Sequence, residues 1–283
     1  MRTSAVLEKL LYGAVRLDER RLERALRGKT ILITGASSGI GEQTARLLGR
    51  WPVRLILAAR RGDKLASIKA DIERGPARVT VLAADLRNDE QLTSLIETLQ
   101  RQPDGLDIVV SNAGLSIRRP VLQSLDRFHD FTRTMAINYF APVRLLLSAI
   151  PLLQRRQGHI INVSTINASI VPFPNWAAYQ ASKTAFDVWL RSAAPELNAA
   201  GIAVTNVYLP LVRTPMIEPT PAYRNAPAMS AEQAARLVAR SIYARRPIVR
   251  PWWLVWGQLG SVLFRGVWER FMTRRLRRRK REE

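Results

Sequence analysis

Tyr179-Gln180-Ala181-Ser182-Lys183 sets a phenol and an ammonium four residues apart. On a helix, positions i and i+4 project from one face, so the two groups would stand together. A phenol with an ordinary pKa of about 10 is a poor acid–base group at neutral pH. A nearby cation favours the phenolate and lowers that value, and a cationic oxidised nicotinamide would add to the effect. The spacing is common by chance, and a second stretch gives it weight. In Thr30–Gly41, TILITGASSGIG, the apolar run Ile31-Leu32-Ile33 ends in a turn carrying Gly35, Gly39 and Gly41. Glycines let the backbone approach a pyrophosphate, and the helix that follows offers its unpaired N–H groups and positive dipole end to the phosphates. The spacing is Gly-x3-Gly-x-Gly rather than Gly-x-Gly-x2-Gly.

The elements that must hold these groups alternate. Thr30–Thr34, Arg54–Ala59, Val79–Ala84, Leu106–Ser111, His159–Val163 and Ile202–Leu209 read as strands. Helical patterns separate them, including a long apolar one over Leu125–Arg155 and another over Ala177–Ala200. Continuous apolar strands joined by helices of ten or more residues imply a parallel sheet covered on both faces. The expected fold is therefore α/β: a doubly wound, Rossmann-type parallel sheet over residues 29–246. In front of it, residues 1–28 read as one amphipathic helix, with Leu7, Leu10, Leu11, Ala14, Val15, Leu22, Ala25 and Leu26 at three- and four-residue steps. Packing or dimer contact and membrane contact are both open to it. Behind it, residues 247–283 form a Trp-rich, polybasic extension.

Composition excludes several chemistries. The chain has 283 residues and no cysteine, so disulfides, thiolate metal sites and a cysteine nucleophile are ruled out. The two histidines, His129 and His159, lie in unrelated contexts, so no metal site is expected, and both read as partly buried or surface residues. Lys+Arg 44 against Asp+Glu 23 gives a net charge of +21, which calls for an anionic partner. The first residues lack a long apolar stretch with a small-residue cleavage pattern, so a cytoplasmic location is expected.

With the glycine turn and the Tyr-x3-Lys pair in place, the chain resembles the short-chain dehydrogenase/reductase family over about residues 28–245. The resemblance runs through Thr34-Gly35-x3-Gly39-x-Gly41, Asp85 in Ala-Ala-Asp-Leu, Asn112-Ala113-Gly114, Asn138, Tyr179 with Lys183, and Thr214 in Pro-Leu-Val-Arg-Thr-Pro-Met. It implies a dinucleotide site using Gly35, Ser37, Ser38, Gly39, Ile40, Gly41, Asp85, Leu86, Asn112, Ala113, Gly114, Tyr179, Lys183, Val212 and Thr214, with Asp85 touching adenine. It also implies that Tyr179 donates a proton to a carbonyl oxygen. Lys183 would bind the nicotinamide ribose and lower the Tyr pKa, and Asn138 would hold a relay water.

Two departures stand out. The family usually carries a Ser thirteen residues before the Tyr, and here that count lands on Ile166. Aligned by the strand end, the position is Thr165, with Ser164 beside it as the alternative. Leu211 replaces a common Gly after the Pro. Cofactor choice follows from Arg60 and Arg61 at the end of the second strand, where an Asp or Glu would hold the ribose 2′-OH of NAD and an Arg accepts the 2′-phosphate of NADP. NADP(H) is expected.

Residues 209–220 are locally similar to the reductase domain of bacterial long-chain fatty acyl-CoA reductases, and Ile166, Ile170, Val171, Phe173 and Trp176 suggest a greasy pocket wall. The expected substrate is a lipophilic carbonyl: a fatty aldehyde, an acyl-CoA or a lipid ketone. A small polar carbonyl or alcohol, or a non-catalytic NADP-binding scaffold, stands as the alternative. The apolar run within residues 251–264 is too short to cross a bilayer. Its Trp252, Trp253 and Trp256, with Trp268, Phe271 and the cationic Arg274–Arg281, suit an anionic membrane surface over residues 251–281, at the inner face of the membrane. A tail wrapped on the domain fits the same residues. Nucleic acid is the weaker reading of the Arg run, since no recognised nucleic-acid module accompanies it. A homodimer or homotetramer is expected.

Overall fold

Ile31, Leu32 and Ile33 are all fully buried, and successive side chains of a strand point to opposite faces, so a strand of this kind needs cover on both sides. It is β1 (Thr30–Thr34) of a seven-stranded sheet with β2 (Arg54–Ala59), β3 (Arg78–Ala83), β4 (Ile108–Ser111), β5 (His159–Thr165), β6 (Ala203–Leu209) and β9 (Ile248–Val249). The order is β3-β2-β1-β4-β5-β6-β9, with every neighbouring pair parallel. The computed structural model describes residues 8, 11–102, 105–218, 220, 223 and 225–282, the side chains of 279–282 excepted.

Each face has its own core. Ile31 and Ile33 join Leu22 and Leu26 of α1 (Glu19–Leu26), Ala45 and Leu48 of α2 (Gly39–Leu48), Leu65 and Ile68 of α3 (Gly62–Ile72), and Val238 and Ile242 of α8 (Ala231–Ala244). Leu32 joins the opposite core, with Leu92 and Leu95 of α4 (Asp89–Gln100), Leu145 and Leu146 of α6 (Ala141–Arg155), and Phe186 and Leu190 of α7 (Ala177–Ala199). Each such fully buried side chain contributes about 1.5–3 kcal/mol. Below the strands, Asp107 is almost wholly buried and accepts from Lys29 Nζ at 2.9 Å, Thr30 N at 2.9 Å and Arg156 Nε at 3.3 Å. The first half of the sheet runs outward from β1 and the second outward from β4, so the crevice of a doubly wound fold lies where those two strands diverge.

Several expectations change. The N-terminal segment is not one helix: Leu11 and Tyr12 are helical, Gly13 has φ +58°, and Asp18 opens a new helix by accepting from Arg21 N at 3.0 Å. Leu7 and Leu10 fall outside the described residues. The long apolar helix starts at Phe128, and α5 (Phe128–Met135) joins α6 through a π-helical turn, Ala136–Phe140. His159 is fully buried rather than partly so, and its Nε2 meets Thr205 Oγ1 at 2.8 Å. Beyond β6 the chain adds a short parallel pair, β7 (Val212–Arg213) with β8 (Met229–Ser230). The division between domain and extension shifts as well, because β9 lies beyond residue 246 and completes the sheet against Asn206 and Val207. After it come α9 (Leu254–Leu263) and α10 (Arg265–Glu282).

Candidate active site

A cleft of about 610 Å3 opens at the C-terminal ends of β1, β4 and β5. The glycine turn forms its floor and is bolted to β4. Asn112 Nδ2 donates to Thr34 O at 3.0 Å and to Gly35 O at 3.3 Å, while Thr34 Oγ1 accepts from Asn112 N at 3.0 Å and Ala113 N at 3.1 Å. Gly35 has φ +67°, and a Cβ there would lie 2.9 Å from Ala113 Cα. A Cβ on Gly41 would lie 2.3 Å from Gly35 O and 2.7 Å from Asn112 Nδ2. Only glycine permits that packing. Ser38 begins α2 without a side-chain cap, so the first N–H groups of the helix are not capped by its hydroxyl, as an anion site requires.

The remaining residues expected to hold a dinucleotide line this cleft or abut it. Ser37, Ser38, Gly39, Ile40, Leu86, Val212 and Thr214 border it, as do Arg60, Arg61 and Asp85. Arg61 is pinned by Ser37, with Nη2 donating to Ser37 O at 3.1 Å and to Oγ at 3.2 Å. Asp85 is engaged by Arg87 at 2.6 Å, and that guanidinium holds its carboxyl below the usual carboxylate range. Arg87 also lines the cleft; it was not among the expected residues, and its two-residue offset from Asp85 was the available signal. These donors fit a dinucleotide: uncapped helix N–H groups, a glycine floor and two arginines at the end of β2.

Tyr179, Lys183, Thr165 and Asn138 come together at the far wall. Tyr179 and Lys183 project from α7 into the cleft, and Thr165 lines the same wall, where its hydroxyl acts to lower the pKa of the phenol. Burial pushes the Tyr179 pKa up to about 12, with the Thr165 hydroxyl acting against it, and Tyr223 raises it further. The expected lowering by Lys183 does not figure among the influences on the phenol, and burial brings Lys183 itself down to about 8. Lys183 Nζ reaches Val163 O at 3.4 Å. Ser164 also lines the cleft, and its buried Oγ has no hydrogen-bond partner. Asn138 sits in the π-helical turn, an irregularity that reorients a side chain within a helix. Its Oδ1 accepts from Leu115 N at 2.9 Å, and its Nδ2 donates to Leu115 O and Ser182 Oγ, both at 2.9 Å. Its amide thus clamps the loop after Gly114 to α7, and a Cβ on Gly114 would lie 3.0 Å from that Oδ1 and 3.4 Å from Lys183 Nζ.

Aromatic rings close the substrate side. Trp176 meets Tyr179 edge-on at 5.6 Å and stacks on Tyr223 at 6.0 Å, and Phe173 meets Trp268 of α10 at 5.1 Å. Ile166, Phe173, Trp176, Met216 and Tyr223 line the cleft. Tyr223 had no signal as a pocket residue, since it arrives from a segment distant in sequence, whereas Trp268, outside the lining itself, packs on Phe173 as a tail wrapped on the domain would.

The model of the short chain dehydrogenase family matches residues 29–225. A fatty acyl-CoA reductase of Acinetobacter baylyi is 41% identical over 221 residues, covering 78% of this chain and 75% of the relative. A fatty acyl-CoA reductase of Mycobacterium tuberculosis is 40% identical over 227 residues, covering 80% and 77%. Among solved structures, a short-chain dehydrogenase of Sphingobium yanoikuyae in complex with NADPH superposes with a TM-score of 0.73 at 24% identity, covering 87% of this chain and 95% of that one. One of Burkholderia cenocepacia in complex with NADP has the same score and identity, covering 87% and 97%. The glycine floor, the Tyr179–Lys183 pair and these matches agree: the chain belongs to the short-chain dehydrogenase family.

Proposed function

We propose that this protein is an NADPH-dependent reductase of a lipophilic carbonyl compound, in the class of fatty aldehydes, acyl-CoA thioesters and lipid ketones. The observation that carries the reading is the Tyr179–Thr165 hydroxyl pair, set in one cleft with the glycine floor and an aromatic wall. In this reading NADPH, when bound, supplies the hydride. The floor of Gly35, Gly39 and Gly41 and the N-terminus of α2 take the pyrophosphate, Arg60 and Arg61 face the 2′-phosphate, and Lys183 holds the nicotinamide ribose. Thr165 and Tyr179 bind the substrate carbonyl oxygen, and Tyr179 gives it a proton.

With its pKa pushed up to about 12 by burial, Tyr179 carries its proton throughout the neutral range. Lys183, brought down to about 8, is cationic below that pH. Substrate class is supported by Ile166, Phe173 and Trp176 along the cleft and by the names of the relatives at 41% and 40% identity. We further infer a homo-oligomer, supported by exposed Leu147 on α6 and Val188 on α7, working peripherally at an anionic membrane surface.

The test is NADPH oxidation by the purified chain with aldehydes, ketones and acyl-CoAs of increasing length. Turnover rising with chain length supports the proposal. Turnover confined to short polar carbonyls would refute the substrate class, and NADPH binding with no turnover across the panel would point to a non-catalytic role.

A further inference from the structure

An extended apolar surface not used by the core lies on the C-terminal helices. Trp252, Val255, Trp256, Leu259, Val262, Leu263, Phe264, Val267 and Phe271 are all exposed, with Trp256 at 68% and Val262 at 76%. An apolar patch of that extent on a water-soluble face marks an interaction site. The helices are nonetheless seated on the domain. Leu254 is fully buried, Trp253 Nε1 donates to Leu11 O at 3.3 Å, and Trp268 Nε1 donates to Pro172 O at 3.2 Å.

Charge selects the occupant. Arg270, Arg274, Arg275, Arg277 and Arg278 are exposed on α10, and Glu269, the only acid among residues 264–278, is paired with Arg265 at 3.1 Å. Exposed indole and aliphatic groups beside a run of arginines match the headgroup region of an anionic bilayer, where rings lie at the interface and guanidinium groups meet lipid phosphates. A second copy would bring the same cationic tail and a net charge of +21 against it. α9, with 10 residues, is about 15 Å long and does not span a core of about 30 Å. The one described helix long and apolar enough to do so, Phe128–Arg155, turns Leu145, Leu146, Leu152 and Leu153 into the sheet core.

Contact with the site is direct. Trp268 meets Phe173, which lines the cleft, and Phe173 N donates to Gln180 Oε1 at 3.0 Å. Gln180 in turn donates to Asn167 O at 2.6 Å, and it is the residue next to Tyr179 on α7. We propose that α9 and α10 are the seat of this protein on an anionic lipid bilayer, and that Trp268 couples that seat to the substrate-side loop at residues 166–176. The proposal deepens the lipophilic-carbonyl reading: a substrate dissolved in the bilayer enters beside the helices that hold the protein there.

The test uses the full chain with vesicles of phosphatidylcholine alone or with about a third phosphatidylglycerol. Sedimentation with the anionic vesicles is expected, and weakening with salt. The combined variant Arg274→Glu, Arg275→Glu, Arg277→Glu, Arg278→Glu is expected to lose at least about tenfold in vesicle affinity while turnover of a short soluble aldehyde is unchanged. Trp268→Ala is expected to keep vesicle binding and to lose two effects of lipid: slower hydrogen exchange over residues 166–176, and faster turnover of a long-chain aldehyde. Equal binding to both vesicle types, or binding to neither with self-association or duplex DNA retention instead, overturns the seat. Lipid effects that persist in Trp268→Ala overturn the coupling. Vesicle binding and hydrogen exchange need no substrate, so a chain that passes both yet reduces no carbonyl would sink the reductase reading alone.

Discussion

The two halves of the cleft are built from different material. Its dinucleotide half is backbone: a glycine turn whose Cβ positions lie 2.3–2.9 Å from neighbouring atoms, tied down by Asn112 and Thr34. Its substrate half is side chain, with Trp176, Tyr223 and Phe173 drawn from loops and Trp268 of the C-terminal extension packed behind Phe173. A backbone cradle tolerates little change in shape, because an added methyl has nowhere to go in a close-packed interior. A wall of rings on loops can be exchanged without disturbing the sheet. The first half suits a ligand common to many reactions, the second a ligand particular to one. Tyr179 and Lys183 sit at the seam.

That division can be broken or sharpened by experiment. Tyr179→Phe is expected to lower kcat/KM by about 10²–10⁴-fold while NADPH affinity, read by fluorescence titration, stays unchanged. A fall in affinity of similar size would move Tyr179 into the dinucleotide half. Thr165→Val removes the hydroxyl beside the phenol and is expected to cost about 10²-fold in kcat. Ser164→Ala removes a buried Oγ without a partner and should change kcat less than about twofold and leave Tm unchanged. The reverse order would make Ser164 the carbonyl donor.

Cofactor choice comes next in size. Arg61→Ala, which also frees Ser37, is expected to raise the NADPH dissociation constant about 10–100-fold and that of NADH far less, measured by calorimetry. Smallest near neutral pH is the effect of acidity itself. Lys183 has its pKa lowered to about 8 by burial, so its charge is present below that value and lost as pH rises through it, while Tyr179 keeps its proton to about 12. A pH profile of carbonyl reduction should therefore be level near neutrality and fall about tenfold per unit well above pH 8. A profile level to pH 10 would show that Lys183 stays charged in the working complex.

How much of this was legible follows from where the information is stored. The central strands β1, β2 and β4 could be read because they are buried on both faces and so are almost continuously apolar. The glycine turn and the Tyr-x3-Lys pair could be read because their geometry is local: a turn and one helical step. β9 could not, since two residues, Ile248 and Val249, become a strand only by meeting Asn206 and Val207. Asn138 was placed in the long apolar helix, but the π-helical turn that aims it at Leu115 and Ser182 leaves no mark in hydrophobic periodicity. Asp85 was matched by its motif, and its engagement by Arg87 depends on a rotamer.

The sequence by itself determined the doubly wound sheet, the glycine floor and the placing of Tyr179 beside Lys183 on one helix, because these rest on backbone sterics and on spacing along single elements. Only the tertiary structure decided the state in which those groups work. Desolvation is a property of the assembled surroundings, so it was burial that sent Tyr179 up and Lys183 down, against the simple pairing of a phenol with a cation. The same holds for the tail. Its tryptophans and arginines were visible in the chain, but the seat of Trp268 on Pro172 and Phe173, which brings the extension to the mouth of the cleft, exists only once residues about a hundred positions apart are packed together.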